Sequence, residues 1–305
     1  MTRTLLAAAL LVAACAASPA GLTEPAPPPS APVWRAVDPE NLVALELATG
    51  TAYIELFPAA APAHAAQFKR LVREGFYDGE AFYRVIEGHV AQAGREFDAL
   101  LKDVPTLPFE AERTVSAEGF TPHGNGDLFT PEPGHRMGFA VGREGGQEWL
   151  LNCPGALGMA RDTAPDTGSA EFFIPLQPRR YLDRNYVIFG RVIAGMDHIH
   201  RLPRVDPFTE EETEALFGED APLAHQMRQW RRSQLGQNVI ASARIAADLP
   251  ADDRPAFEVM DTASAEWEAL KTSKRDYSAI PAFIAPPVNM LDICTLPVPA
   301  RRVGD

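Results

Sequence analysis

From residue 42 the chain shows two strand-like runs, 42–48 and 52–57, split by Thr49-Gly50-Thr51. In the second run Ala52, Ile54 and Leu56 fall on one side, with Tyr53, Glu55 and Phe57 on the other. That period of two marks a half-buried strand, and the short Gly-bearing break predicts a hairpin. The period then changes. Ala65, Phe68, Leu71 and Val72 recur at helical spacing, with Pro62 near the start and Gly75 placed to end the helix. Strand patterns return at 81–86 and 89–92, broken at Gly88, and again at 172–174 and 186–192. A short helix is expected over 196–202, stopped by Pro203, and another around 225–234. Val239, Ala241, Ala243 and Ile245 alternate as a further strand. The C-terminal stretch adds a strand near 257–260 and a helix with Ala263, Trp267 and Leu270 on one face. Between 95 and 152 glycine and proline are frequent and no period is sustained, so a long loop or insertion is expected there. Many short strands with few helices predict a mainly β protein, a closed barrel with helical caps.

The two ends differ from this middle. Arg3 followed by an apolar run from Leu5 to Val12 and then small residues has the form of a secretory leader over 1–20, too short to span a bilayer permanently. Val12-Ala13-Ala14-Cys15 resembles a bacterial lipobox, which would make Cys15 the lipidated first residue; cleavage after Ser18-Pro19-Ala20 would discard it. Both routes predict export, to the periplasm or to a membrane-anchored position facing it. Residues 21–40, rich in alanine and proline, are expected to form a semi-rigid spacer. The barrel domain is expected over 41–247, with the extension 248–305 packed on it through Trp267 and Leu270.

Composition narrows the function. With 46% hydrophobic and 23% charged residues this is ordinary globular protein. The net charge of −13 and the lack of a polybasic run argue against a nucleic-acid partner, and any membrane contact is expected only through the N-terminal anchor. The acidic cluster Glu210, Glu211, Glu212 and Glu214 fits a solvated face. With Cys15 lipidated or removed, Cys153 and Cys294 are left as an even pair in an oxidising location, which argues for a disulfide; two separate buried thiols are the alternative. There is no GxSxG, HExxH, P-loop or GxGxxG motif, and His198-Ile199-His200 on a helix would not converge, so neither a metal nor a cofactor is expected. A monomer is expected.

A series of ordered segments carries the chemistry. They are Phe76-Tyr77-Asp78-Gly79; Phe82-Tyr83-Arg84-Val85-Ile86-Glu87-Gly88-His89-Val90-Ala91-Gln92-Ala93-Gly94; Gly155-Ala156-Leu157-Gly158-Met159-Ala160-Arg161; Gly168-Ser169-Ala170-Glu171-Phe172-Phe173-Ile174; Leu182-Asp183; and Val187-Ile188-Phe189-Gly190-Arg191-Val192 before Gly195-Met196. In this order, over about 41–200, the chain resembles the cyclophilin family of peptidyl-prolyl cis–trans isomerases. The resemblance implies a closed eight-stranded antiparallel barrel capped by two helices, here with a C-terminal α/β extension, and a groove for proline-containing segments of folding proteins on its outer face. It implies a catalytic role for Arg84, with Gln92 beside it. Val90, Phe173 and Leu182 match pocket positions, and Ala160 and Arg161 match the stretch that holds the substrate backbone. Strand alternation supports Phe173 over Phe172, because the two must face opposite ways.

The departures lie in the same groove: His89 for a usual Phe, Glu171 for Gln, Tyr181 for Trp, Tyr186 for a His common in the family, and Ala93 for a Gly. His89 would make the pocket wall titratable near ~6.5. Glu171, if turned inward, could pair with Arg84. These changes leave two functions open: an isomerase acting on exported proteins, or a non-catalytic proline-peptide binding module or periplasmic holdase.

Overall fold

The computed structural model describes residues 33–95, 104–205, 235–277, 280, 282–285 and 291–304. The leader with Cys15, the acidic cluster and the helix expected at 225–234 lie outside the described residues. In chain order the N-terminal part contains β1 (Trp34–Ala36), β2 (Leu42–Leu47), β3 (Gly50–Leu56), α1 (Pro62–Arg73), β4 (Ala81–Val85) and β5 (Val90–Gly94). Then come β6 (Arg113–Thr114), β7 (Phe120–Pro122), β8 (Glu132–Arg136), β9 (Phe139–Glu144) and β10 (Gln147–Leu150). The chain continues through β11 (Ala156–Met159), β12 (Phe172–Pro175), β13 (Ile188–Ala194), α2 (Met196–His200) and β14 (Ile240–Ile245). It ends with β15 (Phe257–Met260), α3 (Ala265–Arg275) and β16 (Ala300–Arg302).

Eight strands make one antiparallel sheet in the order β14-β2-β3-β13-β11-β12-β5-β4. Its two ends meet. Gly79 N–H donates to the Ile240 carbonyl at 2.9 Å, Ile240 N–H to Glu80 at 2.8 Å, and Phe82 N–H to Asn238 at 2.9 Å. These bonds join the two end strands of the sheet to one another. The inward positions of the alternating strands supply the core, where Phe68, Tyr77, Phe82, Phe172 and Phe189 are each fully buried. Phe68, on the apolar face of α1, packs against the rings of Tyr77, Phe172 and Phe189 at 5.1, 5.5 and 5.3 Å. Aromatic pairs at these spacings add to plain area burial. α1 starts at Pro62 without a side-chain cap of its own; the Glu110 carboxylate accepts from the N–H groups of Ala63 and His64 at 3.1 and 3.2 Å. A negative group at this end also suits the helix dipole.

The segment expected as loop, 95–152, holds a five-stranded antiparallel sheet in the order β6-β10-β9-β8-β7. Two of its hairpins turn on two residues with left-handed backbone, Met137-Gly138 (φ 51° and 82°) and Gly145-Gly146 (φ 57° and 86°), the geometry that follows the twist of paired strands. The period was hidden because a buried charge, rather than an apolar stripe, organises one side of this sheet. Glu148 is 1% exposed and receives Arg113 at 2.6 Å, Arg136 at 2.8 Å and Arg143 at 3.7 Å.

The spacer expectation also changes at its C-terminal end. Residues 34–36 form β1, paired antiparallel to β15 in a three-stranded sheet β1-β15-β16, and Val37 is buried beside Phe257 and Trp267. In the extension, Trp267 shares an apolar cluster with Leu42, Tyr53 and Ile193. The extension is also fastened to the inserted sheet: Lys271, 1% exposed, donates to the Pro122 and His123 carbonyls at 3.3 and 3.2 Å, and Cys153 is disulfide-bonded to Cys294.

Candidate active site

β4, β5 and β12 lie side by side, and their register brings the expected residues together. Arg84 sits opposite Gln92, and Gln92 opposite Phe173. Phe172 faces the barrel core and Phe173 the outer face, where it joins Val90, Phe57, Ala156 and Ile188, with Ala160, Leu182 and Tyr186 packed at the margin. The Phe173 ring lies over Gly158, where a Cβ would come within 2.4 Å of its tip. Only glycine leaves room there. Tyr186 meets Phe173 edge-on at 5.4 Å, and the Arg161 guanidinium stacks on Tyr186 at 4.8 Å while bonding the Asn185 carbonyl at 3.0 Å. The Ala160 N–H is held by the Glu171 carbonyl at 2.8 Å.

Beside this apolar group runs a polar chain. Arg84 Nη1 donates to Gln92 Oε1 at 3.1 Å, and Gln92 Nε2 donates to Glu171 Oε2 at 3.0 Å. Tyr83 closes it, its hydroxyl donating to Glu171 and accepting from Gln92. Glu171 is buried and turned inward, and its carboxylate meets Gln92 and Tyr83; Arg84 bonds to Gln92 instead. With Glu171 Oε2 accepting from the amide nitrogen of Gln92, the amide oxygen is left to accept from Arg84. Tyr83 was not anticipated. A bulge between Ala81 and Arg84 breaks the alternation that would have placed its side chain.

His89 does not titrate where the sequence suggested. Burial, with the positive Arg84 and Arg179 nearby, lowers its pKa below the ordinary value of 6.5, so at neutral pH the pocket wall there is uncharged. Tyr181, 60% exposed, stands at the rim rather than in the pocket. Next to it Arg180 is buried between two acids, Asp127 at 2.6 Å and Asp183 at 2.6 Å. Burial works against the Asp127 charge, but Arg180 and the N–H groups of Phe129 and Thr130 hold this carboxyl below its usual range; at Asp183 burial dominates and the shift is upward. Asp127 belongs to the insertion, which therefore grips the turn carrying Tyr181 and Leu182. The insertion also adds Phe139, Val141 and Leu150 to the Phe173 cluster, with Phe139 stacked on Phe57 at 4.6 Å. Among the described residues no group of three or more His, Cys, Asp or Glu side chains could hold a metal ion.

The outer face of this closed barrel thus sets the hydrogen-bonded Arg84 beside the apolar cluster around Phe173. The chain belongs to the cyclophilin type peptidyl-prolyl cis-trans isomerase family, whose pattern matches residues 42–218. It is similar to a probable peptidyl-prolyl cis-trans isomerase of Brucella suis biovar 1 (strain 1330), 36% identical over 173 residues, covering 55% of this chain and 74% of that protein. It is also similar to peptidyl-prolyl cis-trans isomerase B of Bacillus subtilis (strain 168), 32% identical over 160 residues, covering 52% and 88%. Among solved structures, cyclophilin AquaCyp293 from Hirschia baltica aligns with a TM-score of 0.68 and 27% identity, over 88% of this chain and 93% of that one. That likeness covers far more of the chain than the family segment does.

Proposed function

We propose that this chain accelerates cis–trans isomerisation of X–Pro bonds in exported proteins, with Arg84 as the catalytic group and Phe173, Val90, Leu182 and Tyr186 as the proline pocket. The observation that carries this is the Arg84–Gln92 bond, with Gln92 paired directly opposite Phe173. The amide bond owes its ~18–20 kcal/mol barrier to resonance that the twisted state loses. In that state the proline nitrogen regains a lone pair and becomes an acceptor. A guanidinium held in place can donate to it there and much less to the planar amide, so the interaction is selective for the twisted state. Gln92 removes rotational freedom from Arg84, and Glu171 with Tyr83 removes it from Gln92. The reaction forms no covalent intermediate. His89, Arg161 and Ala160 line the path of the substrate chain.

The leader pattern and the Cys153–Cys294 disulfide support an oxidising envelope location, with Cys15 as the anchoring residue if its lipobox is used and a monomer as the working unit. Exchange spectroscopy on a short X–Pro peptide tests the activity. The wild type is expected to speed exchange and Arg84→Ala to abolish the effect; equal rates for the two would refute the proposal.

A further inference from the structure

Through Asp127 the insertion holds one of its loops against the turn that carries Tyr181 and Leu182, and leaves apolar side chains there in water. Leu128 is 98% exposed and Phe129 52% exposed, and across Arg180 from them Tyr181 is 60% exposed. Their placement is fixed. Asp127 Oδ1 accepts from Phe129 N–H at 2.7 Å and Thr130 N–H at 3.0 Å, while both its oxygens take Arg180 at 2.6 and 3.0 Å. Arg180 in turn carries the Phe129 ring at 5.1 Å and is bonded to Asp183 at 2.6 Å. Asp183 also accepts from the Asn152 N–H at 2.8 Å. The loop therefore projects Leu128 and Phe129 from a point bolted to the turn that supplies Leu182 to the pocket. A buried ion group of this kind is a weak source of stability but a good way to fix geometry. Isolated exposed leucines are ordinary; Leu128 and Phe129 held beside the turn that carries the exposed Tyr181 and the cluster residue Leu182 are the kind of patch that meets a partner.

We propose that Leu128, Phe129 and Tyr181 form an apolar subsite for a large hydrophobic side chain of the substrate polypeptide, roughly two to four residues from the proline at about 3.3 Å per extended residue. The occupant is the same chain whose proline sits against Phe173, because Asp127 holds the patch beside the turn whose Leu182 packs on the Phe173 cluster. The subsite rests on the isomerase reading for its substrate. It makes the protein selective for unfolded segments in which proline has bulky apolar neighbours. The rim is already ordered by Asp127, so binding needs little further ordering of the loop.

The test compares two short proline peptides, one flanked by leucine on both sides at these distances and one flanked by serine, using wild type, Leu128→Ser and Leu128→Ser/Phe129→Ser. Dissociation constants come from NMR titration and rates from exchange spectroscopy. For the wild type the leucine peptide is expected to bind more tightly. Both variants should lower kcat/KM on that peptide by roughly three- to tenfold, through KM, and leave the serine peptide unchanged. Leu128→Ser, at a side chain almost wholly in solvent, guards against a folding effect. Equal binding of the two peptides by the wild type, or variants that keep the wild-type preference, would overturn the subsite. Titration reads that preference even if exchange is not accelerated, in which case the isomerase reading fails separately.

Discussion

The barrel and its additions are held together by different forces. Inside the barrel, α1 and the inward strand positions pack Phe68, Tyr77, Phe82, Phe172 and Phe189 into one apolar cluster. In the inserted sheet and the extension, buried charge does much of the same work: three arginines surround Glu148, Arg180 lies between Asp127 and Asp183, and Lys271 is capped by backbone carbonyls. An apolar core tolerates many arrangements of similar volume, whereas a buried ion group works in one arrangement and fails when a partner is missing. The barrel thus supplies a generic scaffold, and the additions supply fixed points, one of them at the turn that carries Tyr181 and Leu182.

Truncation should separate the two regimes most sharply. Glu148→Ala leaves three arginines without their shared carboxylate and is expected to cost about 3–5 kcal/mol. Phe68→Ala should cost a similar amount, about 3–5 kcal/mol, through the cavity it opens. Urea denaturation at low and high salt tells them apart: the Glu148→Ala penalty should vary with ionic strength and the Phe68→Ala penalty should not. Equal salt dependence would break the comparison. Removing the disulfide with Cys153→Ala/Cys294→Ala is expected to cost about 2–4 kcal/mol, because the bridge spans 141 residues of sequence. Since the bridge joins the extension to the barrel and inserted sheet, protease should then cut the C-terminal segment first while X–Pro exchange persists.

A smaller effect concerns pH. Burial lowers the pKa of His135 well below 6.5, and burial lowers His64 and His123 as well. The native state keeps these rings neutral while the unfolded chain takes up protons below 6.5, so stability is full above that value and falls as the pH drops beneath it. The urea midpoint should therefore decline between pH 7 and pH 5, and His135→Gln should flatten part of the decline. A midpoint that rises on acidification would contradict the assignment. The smallest change is in rate. Glu171→Ala removes the acceptor that holds the Gln92 amide nitrogen, so the Gln92 amide is free to turn over; exchange should slow several-fold with peptide affinity unchanged. Equal losses in both would mean that Glu171 only shapes the pocket.

How legible each region was follows the same division. The hairpin of β2 and β3, α1, and the opposite facing of Phe172 and Phe173 follow from hydrophobic period alone. Arg84 and Gln92 needed the family pattern, because a single arginine on a strand has no local mark of function. Tyr83 was hidden by the β4 bulge, and the depressed His89 pKa depends on burial and on Arg84 and Arg179, which only the fold assembles. The inserted sheet escaped because its strands carry Pro133, Gly134, Arg136 and Glu148 where period analysis looks for apolar residues. Its signal was the pair of short glycine turns. The cap of α1 comes from Glu110, 47 residues beyond Ala63, a distance at which no local pattern operates.

The central claim is that the pocket binds proline and the hydrogen-bonded arginine turns the bond. Exchange spectroscopy and NMR titration of one X–Pro peptide with wild type and Arg84→Ala test it directly. The claim predicts that Arg84→Ala keeps a dissociation constant within about threefold of wild type while acceleration of exchange falls about a hundredfold. Unchanged exchange, or binding and exchange lost in equal measure, would contradict it.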